Sequence, residues 1–400
     1  MTSGTKRTDS ERTRVGVIYG GRSAEHSVSV ESARALISRM DPEKYDVVPI
    51  GINFEGHWFI GTAPDQFVEM CVAPPLPGRE VGKLEGRDSG SRMAAPEGTA
   101  SPSTAISVTA VETPAETFLA DRFPCQKSSS PLDVIFPLVH GTYGEDGTLQ
   151  GLLEMAGIPF VGAAVLGSAL CMDKWAQKLA SLGAGIPTVP YIGFRKIEFE
   201  KHPDELMARI VSKLGFPVFV KPSNSGSSRG INKAKDLKSL RSAIEEAVTL
   251  DLRVVVEKGL NCREIEVAVL GNDEPRISCV GEILPQREWY DYEAKYAEGG
   301  MKLEIPAQIP DEVALRVREL AAEAFSLFDC SGLARIDFFL DRDSNELYLN
   351  EINTIPGFTA MSVYSKLWEA SGIHYENLVE ELIVLAVKRH MSRPQDYSVK

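Results

Sequence analysis

Arg335-Ile-Asp-Phe-Phe-Leu-Asp341, then Arg342-Asp-Ser-Asn345, then Leu349-Asn-Glu-Ile-Asn353 is the stretch from which the fold is read. The first run has the composition of a strand. Side chains alternate faces along a strand, so Arg335 and Asp337 share one face. Arg342 to Asn345 supplies turn residues. In the second run Glu351 and Asn353 share a face by the same rule. If the two strands pair antiparallel, Asp337, Glu351 and Asn353 converge beside Arg335. Two carboxylates and one amide oxygen form a hard oxygen site suited to Mg²⁺ carrying phosphate. Arg335 adds a planar donor for an oxyanion. A half-buried strand with a solvated polar face has the same pattern, and these residues alone leave both readings open. Thr354-Ile-Pro-Gly357 follows as a tight loop that can present backbone N–H groups beside the site.

Upstream, Phe219-Val-Lys-Pro-Ser-Asn-Ser-Gly-Ser-Ser-Arg-Gly230 reads as a strand ending near Lys221 and a small-residue loop. Gly226, Ser227, Ser228 and Gly230 permit close backbone approach, and clustered N–H groups cradle phosphate. The Walker pattern G-x-x-x-x-G-K-[ST] is missing. A flexible surface loop after a strand is the competing reading. Lys174 in Met172-Asp-Lys174, and Glu257, Lys258 and Glu264, are charged residues of a kind that also form solvated faces. His140 is either a phosphate or substrate contact or a structural histidine. Glu25 lies near the mouth of the first βα turn, where it can pair with an ammonium group or favour the following helix N-terminus.

The chain opens with a strand at Val15–Tyr19, Gly20 and Gly21, a helix from about Ser27 to Met40 and a strand at Tyr45–Ile52. This is a βαβ opening without the dinucleotide fingerprint G-x-G-x-x-G, which argues against a Rossmann oxidoreductase. From about 76 to 130 Pro, Ser, Thr, Ala, Gly and Glu dominate, and apolar periodicity is poor. That composition predicts an exposed insertion contributing little to the core. A buried strand at Leu132–Val139, the loop His140-Gly-Thr-Tyr-Gly-Glu-Asp-Gly147 and a helix to Ala156 follow. Further strands are expected at Arg263–Leu270, Ile277–Ile283, Ser331–Leu340 and Glu346–Ile352, with helices at Asp311–Leu327 and Tyr375–His390.

The 400 residues suffice for two or three domains. A net charge of −13 disfavours nucleic acid and anionic membrane as general partners, so a phosphate-bearing ligand could bind only where Lys, Arg and metal ions are concentrated locally. The six cysteines form no C-x-x-C pair, which suits a reducing cytosol. Met1 to Arg14 has no apolar core of a secretory signal, and no run is apolar and long enough to span a bilayer.

Seven segments together resemble the ATP-grasp superfamily and, within it, the D-alanine–D-alanine ligases. They are Gly20-Gly-Arg-Ser-Ala-Glu-His26, His140-Gly-Thr-Tyr-Gly-Glu-Asp-Gly-Thr148, Met172-Asp-Lys174, Val220-Lys-Pro222 with Gly226-Ser-Ser228, Tyr290-Asp-Tyr-Glu-Ala-Lys-Tyr296, Arg335-Ile-Asp337 and Asn350-Glu-Ile-Asn-Thr-Ile-Pro-Gly357. They occur in family order and cover nearly the whole chain. The resemblance implies an α/β chain with a Rossmann-like (pre-ATP-grasp) N-terminal domain followed by a two-subdomain ATP-grasp fold. The implied division is a disordered tail at 1–14, a substrate domain at 15–162 carrying the insertion, a central subdomain at 163–258 and a C-terminal subdomain at 259–400.

By the same resemblance Lys174, Lys221, Ser228, Glu257, Lys258, Glu264 and Lys295 serve ATP, with Glu257 and Glu264 around the adenine and ribose. Asp337, Glu351 and Asn353 hold two Mg²⁺ ions, which Mn²⁺ can replace. Glu25 orients the first amino acid. Ser227 and Tyr296 link the Gly/Ser loop to a lid at about Tyr290–Gly300. Arg335 and the Gly357 N–H stabilise a tetrahedral intermediate, Ser362 meets the second carboxylate, and His140 contacts substrate. The implied partners are D-alanine and ATP in a cytoplasmic homodimer. Asn224-Ser225 departs from the family, where many relatives carry a charged residue. Rival readings are a D-alanine–D-lactate or D-alanine–D-serine ligase on the same scaffold, or a non-catalytic nucleotide-binding regulator. Glu293-Ala-Lys-Tyr296 resembles the dipeptide-forming group, and the intact Arg335, Asp337, Glu351 and Asn353 set opposes a dead enzyme.

Overall fold

The computed structural model describes residues 12–72, 132–226, 229–285 and 301–393. The expected insertion at 76–130, the first eleven residues, Ser227 and Ser228, and the lid segment with Lys295 and Tyr296 lie outside the described residues.

β1 (Thr13–Gly20) pairs in parallel with β2 (Tyr45–Ile52), and α1 (His26–Arg39) is the crossover between them. β1 starts at Thr13, so the last residues of the expected tail already belong to the sheet. β3 (Trp58–Ile60) and α2 (Pro64–Val72) extend one edge. β4 (Val134–Pro137) pairs in parallel with the other side of β1, giving the order β3-β2-β1-β4. β1 is buried on both faces, as a parallel strand should be: Val15, Val17 and Tyr19 join one core cluster and Ile18 another. The chain leaves it through Gly20 at φ +88, where a Cβ would lie 2.2 Å from the Ile52 carbonyl oxygen. Only glycine allows that exit, which aims the following loop and Glu25 away from the sheet.

After α3 (Thr148–Met155), α4 (Val165–Met172) and α5 (Lys174–Gly183) comes an antiparallel sheet. Its strands are β5 (Tyr191–Arg195), β6 (Val218–Pro222), β7 (Asn232–Ala234) and β8 (Arg253–Lys258), in the order β5-β8-β6-β7. α6 (Lys196–Lys201) and α7 (Pro203–Leu214) connect β5 to β6. α8 (Leu237–Leu250) begins with a capping box between Asp236 and Ser239. Val218, Val220, Val254 and Val256 alternate toward α7 and α8 and form a core of their own with Leu206, Ile210, Leu240 and Ile244. Phe219, Lys221 and Glu257 alternate the other way.

The third sheet has the order β12-β11-β9-β13-β14, with β10 paired to β9. Its strands are β9 (Cys262–Gly271), β10 (Arg276–Ile277), β11 (Gly281–Pro285), β12 (Met301–Glu304), β13 (Gly332–Asp341) and β14 (Leu347–Asn353). α9 (Asp311–Leu327) buries Val317, Leu320, Ala321, Ala324 and Phe325 at helical spacing against one face. Ile265, Val267, Ala334, Ile336 and Phe338 answer from the sheet. α10 (Val363–Ala370) and α11 (Tyr375–Ser392) join this sheet to the first, since Leu367, Leu378 and Leu382 share a core with Val15, Val17 and Leu270.

Two expectations need correction. The single strand expected over Ile277–Ile283 is two strands, because the Cys279 N–H leaves the ladder to donate to Ser371 Oγ at 2.8 Å. The alternation along Leu349–Asn353 is also broken. Pairing passes from Asp337↔Glu351 to Phe338↔Leu349, leaving Asn350 as the extra residue of a β-bulge. Leu349 therefore packs into the core while Glu351 faces the cavity.

Candidate active site

A cavity of about 1170 Å³ lies where the three sheets meet, and every candidate residue within the described segments lines it. Its floor is the β9–β13–β14 face. Arg335 lies opposite Asn353, and Asp337 opposite both Glu351 on β14 and Glu266 on β9. Arg335 Nε and Nη2 donate to the two Asp337 carboxylate oxygens, each at 2.8 Å, and Nε lies 3.2 Å from Glu266 Oε2. Asn353 Nδ2 donates to Asp337 Oδ2 at 3.0 Å. Burial works against the Arg335 charge, but Asp337 and Glu266 prevail and hold the guanidinium well above its usual range. Among the described residues no three His, Cys, Asp or Glu side chains form a ready metal cage. The candidate donors are two carboxylates and an amide on one wall, and these hard oxygens fit Mg²⁺.

The wall from the second sheet carries a buried ion cluster. Glu257 Oε1 lies 2.9 Å from Lys178 Nζ, and Oε2 lies 2.8 Å from Lys221 Nζ. Burial would raise the Glu257 carboxyl, yet the two ammonium groups pull it down to about 2. Burial lowers Lys178 despite the carboxylate beside it. For Lys221 burial is outweighed by Glu257, Glu351 and Glu264, and its pKa is raised. Lys221 is thus a preformed cation facing the carboxylates of the third sheet. Lys174 comes from the start of α5, where Asp173 caps the helix by accepting from Ala176 N at 2.8 Å. Ser223 donates to the same Asp173 oxygen at 2.7 Å, and Lys174 Nζ donates to the Ser225 carbonyl at 2.7 Å. These bonds tie Lys174 to the loop that leads into Ser227 and Ser228.

The Glu257 shift makes a signed prediction. Its carboxyl is ordinarily at 4.5 and is lowered in the fold. Its stabilising contribution is therefore complete above about pH 4.5 and is lost as pH falls through about 2. Glu257→Gln strands two buried ammonium groups and is expected to cost about 3–5 kcal/mol at neutral pH. The variant should also lack this part of the acid-induced loss. Melting followed by circular dichroism from pH 7 to pH 2 checks it. Parallel wild-type and variant curves would contradict the assignment.

The third wall comes from the first sheet and its loops. Glu25 Oε2 lies 2.8 Å from where a Cβ on Gly226 would stand and 2.7 Å from the same point on Gly141. Those two glycines leave room for the carboxylate between the first βα turn, the His140 loop and the Gly/Ser loop. His140 is buried; Nδ1 meets the Ile355 carbonyl at 2.8 Å and Nε2 meets Ser32 Oγ at 3.2 Å. Burial lowers its pKa although Glu25 opposes. Both ring nitrogens are thus occupied within the protein. Ser362 stands at the N-cap position of α10, where its Oγ accepts from Thr359 N at 3.0 Å instead of capping the helix, and lies close to Gly357.

Two cavity-lining residues, Glu266 and Glu145, and Lys178 of the buried ion cluster were missed in the sequence. Lys178 stands one helical turn after Lys174, and Glu266 two strand positions after Glu264; both spacings signal a shared face. Glu145 lies inside the His140–Gly147 loop, with no local signal of its long-range bond to Ile355.

A mostly parallel αβ sheet followed by two antiparallel sheets, meeting at a cavity with lysines on one wall and paired carboxylates on another, defines an ATP-grasp enzyme. Comparison with known proteins agrees. The profile described as D-ala D-ala ligase N-terminus matches residues 14–163, and D-ala D-ala ligase C-terminus matches 181–384. A D-alanine–D-alanine ligase of Caldicellulosiruptor bescii is 45% identical over 95% of this chain and 96% of its own length. One from Geobacillus thermodenitrificans is 43% identical over 96% and 97%. The solved D-alanine-D-alanine ligase of Coxiella burnetii superposes with a TM-score of 0.73 at 32% identity, covering 95% of each chain. The VanG D-Ala:D-Ser ligase of Enterococcus faecalis gives 0.72 at 31% identity, covering 94% of this chain and 99% of its own. This chain belongs to the D-alanine–D-alanine ligase family.

Proposed function

We propose that this protein joins two D-alanines into D-alanyl-D-alanine, using ATP and releasing ADP and phosphate, as a step in making peptidoglycan precursors. The observation that carries the reading is the meeting of Lys221, the Asp337–Glu351 pair and Glu25 on one cavity. Phosphoryl transfer needs the first two groups, and an amino-acid ammonium needs the third.

The donor carboxylate is a poor electrophile, so one of its oxygens attacks the γ-phosphorus of ATP and ADP leaves. Lys174 and Lys221 hold the phosphates and offset the spreading negative charge. Ser228, Lys258 and Lys295 belong to the same ATP site. Glu257 and Glu264 flank adenine and ribose, and Glu257 also holds Lys221 in place. Asp337, Glu351 and Asn353 would hold two Mg²⁺ ions, or Mn²⁺, which supply further charge neutralisation at the phosphates. Glu25 fixes the donor ammonium. The neutral amine of the second D-alanine then attacks the acyl carbon. Arg335 and the Gly357 N–H donate to the oxygen of the tetrahedral intermediate, and phosphate departs. His140 supports the donor side. Ser362 at the N-terminus of α10 receives the acceptor carboxylate. Water would hydrolyse the acyl phosphate, so the lid, fastened by Tyr296 to Ser227, closes over it.

A cytoplasmic location belongs to the proposal, because ATP and the free thiols among the described residues suit that compartment. So does a homodimer. Among the described residues no helix is long and apolar enough to cross a membrane.

Phosphate release with ATP and Mg²⁺ is expected with D-alanine, and far less with L-alanine. In competition with D-lactate or D-serine at neutral pH, chromatography should find mainly D-alanyl-D-alanine. A predominance of ester or of the serine dipeptide would move the specificity to another member of the family. No phosphate release with any of these would overturn the ligase reading.

A further inference from the structure

Glu145 has no part in the chemistry above, yet it joins two cavity loops that are remote in sequence. Its Oε2 accepts from the Gly141 N–H at 2.8 Å, within its own loop. Its Oε1 accepts from the Ile355 N–H at 2.9 Å, in the loop between Asn353 and Gly357. From the same first loop, His140 Nδ1 meets the Ile355 carbonyl at 2.8 Å. Both backbone groups of Ile355 are therefore held by side chains of the His140–Gly147 loop. Ile355 has left β14, so no strand partner fixes it. Pro356 has no N–H to offer. The Gly357 N–H stands two residues beyond this double anchor, and its direction follows from it.

We infer that Glu145 is a positioning residue for the acyl-transfer half of the reaction: through Ile355 it aims the Gly357 N–H at the oxygen of the tetrahedral intermediate. The inference rests on the ligase reading above. Burial and Glu25 push the Glu145 carboxyl up to about 8, while the Gly141 and Ile355 N–H groups and Arg335 pull it down; in the ionised form both oxygens accept, so two N–H donors are met at once. Glutamine has one acceptor oxygen, and its NH₂ would face one of the N–H groups. Phosphoryl transfer draws on Lys174, Lys221 and the carboxylates of the third sheet, whereas the Glu145 carboxylate is bonded to the Gly141 and Ile355 backbone. The two half-reactions should therefore respond differently, which a merely structural residue would not bring about.

The test compares full-length wild type, Glu145→Gln and Glu145→Ala in single turnovers quenched with acid. ADP reports acyl phosphate formation and D-alanyl-D-alanine reports amine attack. Both variants should form ADP within about threefold of the wild-type rate, with KM for ATP unchanged. Dipeptide formation should fall roughly tenfold to a hundredfold, as expected when a donor is misaimed by a fraction of an ångström. If Glu145→Ala does not fold, Glu145→Gln, of nearly the same shape, carries the comparison. ADP and dipeptide falling together in a folded Glu145→Gln, or neither falling, would overturn the inference. A wild type that forms neither product overturns the ligase reading and this inference with it.

Discussion

Asp337→Asn is expected to lower dipeptide turnover by about a thousandfold or more while the chain still folds. Asparagine keeps the shape of the side chain and removes its charge. Asp337 is buried on the cavity floor between Arg335, Asn353 and the facing strands that carry Glu351 and Glu266. A carboxylate there compensates Arg335 and, in the proposed reaction, is the hardest donor for a phosphate-bound metal. The first role is partly filled without it, because Glu266 remains 3.2 Å from Arg335. The second is not. Stability should fall by no more than a charge-assisted hydrogen bond, about 1.5–3 kcal/mol. Turnover by coupled ADP assay and melting by circular dichroism separate the two. Near-normal turnover in a folded variant would remove Asp337 from the site.

Arg335→Met should be more costly to the fold and nearly as costly to activity. The guanidinium is held from one side by Asp337 and from the other by Glu266. Removing it takes that cation from between the two carboxylates, and breaking such a buried pair costs about 3–5 kcal/mol. Loss of one oxyanion donor slows the acyl-transfer step by about a hundredfold to a thousandfold. The two effects can be separated by adding Glu266→Gln. That second change removes one of the two facing carboxylate charges and should recover part of the melting temperature. It cannot restore a donor to the intermediate, so turnover should stay low. Recovery of turnover along with stability would mean that Arg335 matters only to the fold.

The floor of the site was legible because it obeys simple periodicities. Arg335 and Asp337, like Glu351 and Asn353, are two apart on strands joined by a short turn, and the register sets Asp337 against Glu351 as expected. The bulge at Asn350 was not legible, since an extra residue in a strand leaves no mark in composition. It reverses Leu349 while sparing the pair that matters. The break between β10 and β11 was missed for a related reason: it depends on Ser371, which lies 92 residues from Cys279. Lys178 and Glu266 lie at spacings that place them beside recognised residues, but a charge on a shared face is more often solvated than functional. Only the packing of three sheets shows them enclosed. Glu145 is the extreme case, because its partner Ile355 is 210 residues away. Ser227 and Tyr296, expected to fasten the lid, and Ser228 and Lys295, expected at ATP, lie outside the described residues, and their roles stand as part of the proposal.

The central claim is that one D-alanine carboxylate takes the γ-phosphoryl group before the second D-alanine attacks. Isotope transfer tests it most directly. D-Alanine carrying oxygen-18 in both carboxylate oxygens is supplied with unlabelled ATP in ordinary water, and the released phosphate is examined by mass spectrometry. Attack through the carboxylate oxygen makes that atom the bridge to phosphorus, and amine attack then breaks the carbon–oxygen bond. The account predicts one oxygen-18 atom in each phosphate formed with a dipeptide. Dipeptide formed alongside unlabelled phosphate would contradict it.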